Sequence, residues 1–321
     1  MRRATSFTGL FRRHYFNFVG IMSRQPPFLR KGDTIGIVCP SGYLPLEDTN
    51  ACVQLLQEWG FRVRMGTTVG NRFHSFAGTD EERRIDLQQM LDDHAIQAIL
   101  CGRGGYGMSR IIDQLDFRQF KKHPKWIIGF SDITVLHAHL HGKLQLASLH
   151  ASMARAFVEK NSGNIKSLRA ALSGKKSRYR CLPHHLNKQG EAIGWLVGGN
   201  LSLLAHLAGT KTSLFTKGAV LFLEDVGEYI YNIDRMMIQL KRSGMLADLT
   251  GLVIGGFTES KDTKMPFGST VEELIWAQVK EYGYPVCFGF PVSHGEQNLA
   301  LKHGVKHRLR ITSRSVLLEE V

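Results

Sequence analysis

The stretch Trp126-Ile127-Ile128-Gly129-Phe130-Ser131-Asp132 decides the fold. Its first five residues form an apolar run too short for a helix, which reads as a buried strand. Ser131 then opens a helical stretch to about residue 140 with no loop between. A strand that passes straight into a helix is half of a βαβ unit. Upstream the same alternation repeats. Residues 34–39 form an apolar strand ending in the breaker Pro40-Ser41-Gly42, residues 48–59 a helix stopped by Gly60, and residues 61–65 the next strand. Thr79-Asp80-Glu81-Glu82 is a capping box opening a helix to about residue 91. Residues 95–100 are a further apolar run, followed by the loop Gly102-Arg103-Gly104-Gly105-Tyr106-Gly107 and a helix. Downstream, residues 146–150 read as one more strand. Short apolar strands separated by helices predict a doubly wound parallel sheet.

The second half is spaced less regularly. Strands are expected at 218–223, 252–257, 285–290 and 308–312, with helices at about 233–243 and 270–282. The last strands alternate polar and apolar, which favours a mixed sheet. A chain of 321 residues suits roughly two domains. The boundaries read as 28–165 for the α/β domain, 166–190 for a connector and 191–321 for the second domain; residues of about 160–190, rich in Lys, Arg, Ser and Asn and containing Pro183-His184-His185, read as a helix followed by a connecting segment.

With 43% hydrophobic and 21% charged residues and 9 prolines, the composition is that of a folded globular chain. No apolar run reaches the roughly 18 residues of a membrane span. The net charge is +13, but Arg2, Arg3, Arg12 and Arg13 sit in residues 1–21 without an acid, and the remainder carries +9. Residues 1–27 are read as a leader or as sequence upstream of a start at Met22; an Ala-x-Ala cleavage site is missing. The basic clusters Lys121-Lys122 and Lys175-Lys176-Ser177-Arg178 are short and lack interleaved aromatics. They predict a solvated surface that attracts small anions, and no nucleic-acid partner. Cys39, Cys52, Cys101, Cys181 and Cys287 are odd in number and form no C-x-x-C pair, which fits a reducing compartment. His303 and His307 lie in a tract that reads as strand, so no metal or other cofactor is expected.

Open α/β sheets bind ligands at the carboxyl ends of their strands. The 102–107 loop has glycines in G-x-G-x-x-G register, but Lys121-Lys122 stand where a ribose-binding acid belongs. It either turns N–H groups into a cavity or is merely a tight turn. Ser131 has the strand–nucleophile–helix placement of an elbow without the full G-x-S-x-G, and a helix N-cap is the plainer alternative. Glu224 ends the very apolar Leu221-Phe222-Leu223, and His294 sits in the loop Pro291-Val292-Ser293-His294-Gly295. A serine, a carboxylate and a histidine, all at strand ends, make a coherent set for nucleophilic catalysis.

Six segments in order resemble the LD-carboxypeptidase family, serine peptidases also called muramoyltetrapeptide carboxypeptidases. They are Gly32-Asp33-Thr34-Ile35 running on to Gly42, Arg103-Gly104-Gly105-Tyr106-Gly107, Gly129-Phe130-Ser131-Asp132, Gly194-Trp195-Leu196-Val197-Gly198-Gly199-Asn200, Leu223-Glu224-Asp225 and His294-Gly295. The resemblance spans about residues 28–312. It implies an α/β fold with an amino-terminal doubly wound parallel-sheet domain and a smaller carboxyl-terminal β-rich α/β domain. It also implies a Ser131–Glu224–His294 triad divided between them, and cleavage between an L-centre and a D-residue, releasing D-Ala from murein tetrapeptide in the cytoplasm. A homodimer is implied too. The expected oxyanion donors are the N–H of Asp132 and of Gly104 or Gly105. Arg103 is a candidate for the substrate carboxylate, with a structural ion pair as the alternative. Tyr106, Trp195 and Asn200, within the matching motifs, are further candidate substrate contacts. The family's microcin-C-immunity branch, which cleaves peptidyl-nucleotides, and a non-catalytic two-domain binding protein are the competing readings. Residues 1–27 have no counterpart in the family, and Ser293 replaces a glycine that commonly precedes the histidine.

Overall fold

A computed structural model describes residues 23–159 and 162–321. The first layer is built from β1 (Thr34–Val38), α1 (Asn50–Glu58), β2 (Arg62–Met65), α2 (Asp80–Asp92), β3 (Ala98–Cys101), α3 (Met108–Ile111), α4 (Arg118–Lys122), β4 (Trp126–Gly129), α5 (Thr134–His139) and β5 (Ser148–His150). Then come α6 (Gly163–Leu172), β6 (Arg178–Cys181), β7 (Gly190–Asn200), α7 (Leu201–Leu207), β8 (Ala219–Val226), α8 (Ile230–Arg242), β9 (Gly251–Thr258), α9 (Val271–Val279), β10 (Val286–Cys287), β11 (Leu301–His303), β12 (Val305–Ile311) and β13 (Val316–Glu320).

The first sheet has the order β11-β5-β4-β3-β1-β2, parallel except for β11. Side chains of β1 alternate between two cores. Ile35 and Ile37 pack with Leu55 and Leu56 of α1 and Leu168 of α6, while Val38 faces Met90 of α2. Each fully buried isoleucine stabilises by roughly 1.5–3 kcal/mol. Gly36 lies on the α2 side, where a Cβ would come 2.7 Å from Met90 Sδ. Helices therefore cover both faces, as the doubly wound reading required. The expected capping box closes on Thr79 and Glu82 in both directions.

The second sheet runs β10-β9-β8-β7-β12-β13-β6, parallel over its first four strands and antiparallel beyond. One face encloses Val220, Phe222, Val253, Leu309 and Leu318. The other shares a continuous core with the first sheet, from Ile127 and Leu136 to Leu204, Leu221 and Ile254.

Three expectations change. The helix expected at the start of the 160–190 tract is α6, but the segment after it is not only a connector: it supplies the edge strand β6, paired with β13 from Cys181↔Val316 to Arg178↔Glu319. Residues 23–27, expected upstream of the fold, belong to it. Arg24 N donates to Gln145 O (2.8 Å), Ala147 N to Arg24 O (3.0 Å) and Trp126 Nε1 to Pro27 O (3.0 Å). The expected leader at residues 1–21 lies outside the described residues. Finally, β11 returns from the second half to close the edge of the first sheet against β5.

Candidate active site

Chain order reverses in the first sheet between β1 and β3, so the loops that follow these strands part and leave a crevice at their carboxyl ends. Ser131 stands at the edge of that crevice. Its φ is +63°, left-handed for a residue with a Cβ, a strain that persists only where the surroundings hold it. Gly129 is required because the chain folds back at once: a Cβ there would meet Ile133 Cγ1 at 2.9 Å. Phe130 is extended and Ser131 accepts no N-cap bond, so the elbow describes this junction and the capping role does not.

The glycine loop closes on the same point. A Cβ on Gly104 would lie 2.9 Å from Ser131 Cβ and 3.0 Å from its Oγ. Gly104 O accepts Gly42 N–H at 3.0 Å. Because the C=O and N–H bonds of a trans peptide point in opposite directions, Gly105 N–H is turned away from the Gly42 loop. Gly107, at φ +142°, makes room for Arg83, whose Nη1 a Cβ would meet at 2.5 Å. Arg83 is fully buried and donates to Pro40 O, tying α2 beneath the loop after β1.

Glu224 and His294 arrive from the second sheet. Glu224 ends the apolar core of β8 and is fully buried; its Oε2 lies 2.6 Å from His294 Nδ1. The loop carrying His294 rests on β9, where a Cβ on Gly256 would strike Ser293 Cβ at 2.7 Å. The His294 ring packs on the Phe130 ring at 4.8 Å between centroids, next to Ser131 in sequence. With Nδ1–H given to the carboxylate, the neutral ring keeps a lone pair on Nε2, a buried atom with no internal partner. Burial lowers the imidazole pKa, but the hydrogen bond and charge of Glu224, with the charges of Asp225 and Glu259, outweigh it and leave a net rise. A base oriented by a carboxylate and aimed from a buried position can accept a hydroxyl proton.

Asp132 does more than its N–H suggested. Its carboxylate is 1% exposed, and Oδ2 accepts Ser41 Oγ at 2.6 Å and Met108 N at 2.7 Å. Burial raises its pKa against the pull of those bonds and of Arg83. A serine after β1 and an aspartate after β4, parallel strands of one sheet with β3 between them, were the available signal for this link.

The remaining expected contacts separate. Arg103 is half-buried; Nη1 donates to Tyr43 O at 3.0 Å, and among the described residues it has no carboxylate partner, so the ion-pair alternative fails. Tyr106 is 57% exposed beside the Phe76 ring. Asn200 is 3% exposed and its amide is occupied: Oδ1 caps α7 at Leu203 N (3.1 Å) and Nδ2 donates to Asp225 (2.7 Å). It is structural, not a free substrate contact. Its backbone N–H donates to Thr134 Oγ1 at 3.1 Å, and Gly199 lies where a Cβ would be 2.5 Å from that oxygen. The motif thus locks β7 to the helix after the serine. Trp195 pairs with Ala219 at the opposite end of β8 from Glu224, about 16 Å along the strand, so it is not at the site. Asp225, also buried, accepts Ser202 N and Val226 N, and burial pushes its pKa up to about 6. Among the described residues no group of three or more His, Cys, Asp or Glu side chains is placed to hold a metal ion.

Residues 35–151 match the LD-carboxypeptidase N-terminal domain, and residues 193–309 the LD-carboxypeptidase C-terminal domain. The chain is 32% identical over 303 residues to a probable murein peptide carboxypeptidase of Bacillus subtilis, covering 93% of this chain and 95% of that one. It is 30% identical over 286 residues to the murein tetrapeptide carboxypeptidase of Pseudomonas aeruginosa, covering 84% and 91%. The muramoyltetrapeptide carboxypeptidase from Oxalobacter formigenes superposes with a TM-score of 0.82 at 28% identity, covering 89% of this chain and 98% of that one. The microcin C7 self-immunity protein MccF of Escherichia coli is 25% identical over 330 residues, covering 91% and 94%.

Proposed function

This chain belongs to the LD-carboxypeptidase family, and we propose that it is a serine carboxypeptidase that releases terminal D-Ala from murein tetrapeptide. The observation that carries the reading is the His294–Glu224 pair at 2.6 Å, with Nε2 left open beside the Phe130-Ser131 elbow. The two murein-peptide relatives are more similar than the microcin-immunity relative, which favours murein over peptidyl-nucleotide.

In this mechanism His294 Nε2 takes the Ser131 proton as Oγ attacks the carbonyl of the L-residue. Glu224 stabilises the imidazolium that forms. The charge on the carbonyl oxygen is met by the N–H of Asp132 and of Gly104 or Gly105, where losing one donor typically costs about 3–4 kcal/mol. His294 returns the proton to the nitrogen of D-Ala as the C–N bond breaks, and water hydrolyses the acyl-enzyme ester. Arg103, a guanidinium without a partner carboxylate at the crevice, is the group that binds the terminal carboxylate. Tyr106 contributes to the rim. Five free cysteines fit action in a reducing cytoplasm as part of wall recycling, and the family resemblance carries the expectation of a homodimer.

Incubation with murein tetrapeptide tests the reading: tripeptide and free D-Ala are expected. Labelling of Ser131 by a fluorophosphonate without D-Ala release would shift the substrate towards a peptidyl-nucleotide. Absence of labelling would leave a non-catalytic binding protein.

A further inference from the structure

His137 plays no part in the triad, yet it is tied to the nucleophile's turn. It lies on α5, fully buried, with Nε2 2.9 Å from Gly129 O and Nδ1 2.8 Å from Ser148 Oγ. A carbonyl oxygen only accepts, so the ring proton is on Nε2; Nδ1 then has only a lone pair, and the Ser148 hydroxyl must donate to it. Ser148 itself is fully buried on β5. The second lone pair of Gly129 O takes Ala151 N–H at 3.1 Å. Each N–H and O–H of this set thus has an acceptor.

We propose that His137, held in its Nε2–H tautomer by Ser148, is a positioning residue that fixes the strained turn at Ser131. The inference rests on reading Ser131 as the nucleophile. The bond from His137 to Gly129 spans the turn, joining the helix after the serine to the strand end before it. Rotation of Ser131 out of its left-handed backbone angle would move these two anchors apart and break the bond. Nothing else described at the junction joins its two flanks by a side-chain hydrogen bond: Thr134 binds outward to Asn200, and Phe130 packs outward on His294. Burial drives the His137 pKa down to about 4, so one neutral tautomer persists throughout the neutral range. The His303 ring stacked at 5.6 Å and the His150 ring at 6.4 Å pack against it.

The test compares wild type with His137→Leu, His137→Gln and Ser148→Ala in the full chain. The rate constant of fluorophosphonate labelling reports how the serine is held, and the final fraction labelled reports how much protein is folded. Displacing a reacting atom by about 1 Å costs on the order of 10²-fold. His137→Leu is expected to lower the labelling rate constant and kcat by about that factor, with KM within about twofold. His137→Gln, whose amide can still donate to Gly129 O, should recover about tenfold of this loss. Ser148→Ala should give an intermediate rate, and its imidazole ¹⁵N spectrum should show both tautomers where the wild type shows Nε2–H alone. A labelling rate constant in His137→Leu within about twofold of wild type would refute the positioning role while leaving the serine reading intact. A wild-type ring protonated on Nδ1 would refute it also, whether or not the leucine variant folds. Wild-type protein that takes no label overturns the serine reading itself.

Discussion

Asp132 Oδ2 receives the Ser41 hydroxyl at 2.6 Å, across 91 residues of sequence, and the Met108 N–H at 2.7 Å. One buried oxygen thus fastens the loops after β1 and β3 to the residue that follows Ser131. Asp132→Ala strands two donors in the interior, each at about 1–3 kcal/mol. It should lower unfolding free energy by a few kcal/mol and kcat by about 10²-fold, as the frame around the oxyanion loosens. Asp132→Asn should recover much of the loss, because both donors meet one oxygen, which the amide carbonyl can replace while its NH2 takes the place of the unpartnered Oδ1. Urea unfolding and D-Ala release measure the two effects; unchanged values in both would contradict the link.

Triad members that act as a unit lose activity together. Ser131→Ala, His294→Ala and the double variant should each fall by about 10⁴-fold or more, without multiplying. Glu224→Gln keeps the shape but disturbs the tautomer of His294, and a loss of about 10⁴-fold is expected. Retention of more than about a tenth of the rate in Ser131→Ala would remove it as the nucleophile.

The raised pKa of His294 gives the activity profile its sign. The ring must be neutral to accept the serine proton, so kcat/KM should rise with pH through a value above the ordinary 6.5. The same ion pair stabilises the fold fully below 6.5, and this contribution fades as pH climbs through the folded-state value. Glu224→Gln should move the His294 titration downward, and Glu259→Gln should move it less. Ring NMR across pH 5–9 checks both; a limb that does not follow Glu224 would separate the base from its partner.

The five buried imidazoles act in the opposite direction. Burial lowers His137, His141 and His307 from 6.5 to about 4, and His150 and His303 well below the ordinary value. The unfolded chain binds protons at these sites from about pH 6.5 downward and the folded chain does not, so stability falls as pH drops. Each of the first three removes about 3 kcal/mol by pH 4, and together they rival a typical total stability of roughly 5–15 kcal/mol. Urea midpoints should decline steadily from pH 7 to 5, with cooperative unfolding near pH 4–5. A flat profile over that range would show that the rings are not held neutral.

The first sheet relies on its late edge strand. A fragment ending at residue 165 keeps Ser131 but loses β11, most of α6 and the face shared with Leu221 and Ile254. It should be prone to association through the open side of β5 and should release no D-Ala. Circular dichroism with light scattering tests this, and a monomeric, cooperatively melting fragment would show that the sheet is self-sufficient.

Much of this was legible in the residues. The apolar runs gave β1, β3 and β4 within a few residues of their ends, and Thr79 with Glu82 marked the start of α2. The bare junction at Gly129-Phe130-Ser131 announced the elbow because no loop residue intervenes. What stayed hidden depends on distance along the chain. Residues 301–303 carry no pattern that names β5 as their partner, and Arg178-Tyr179-Arg180-Cys181 is too short and too basic to declare itself a strand. Trp195 and Asn200 share one motif, yet Trp195 sits midway along an eleven-residue strand and Asn200 at its end. The Asp132 side chain has no role in the sequence reading until the fold brings Ser41 to it.

The placement of β11 also orders events in time. A polypeptide leaving the ribosome presents Ser131 about 160 residues before His294, and the border of the serine's own sheet only after that. Interrupted synthesis ahead of residue 301 leaves β5 as an open edge of the first sheet, the kind of exposed strand that pairs with another chain. A segment made late thus covers a sheet whose other five strands are made early.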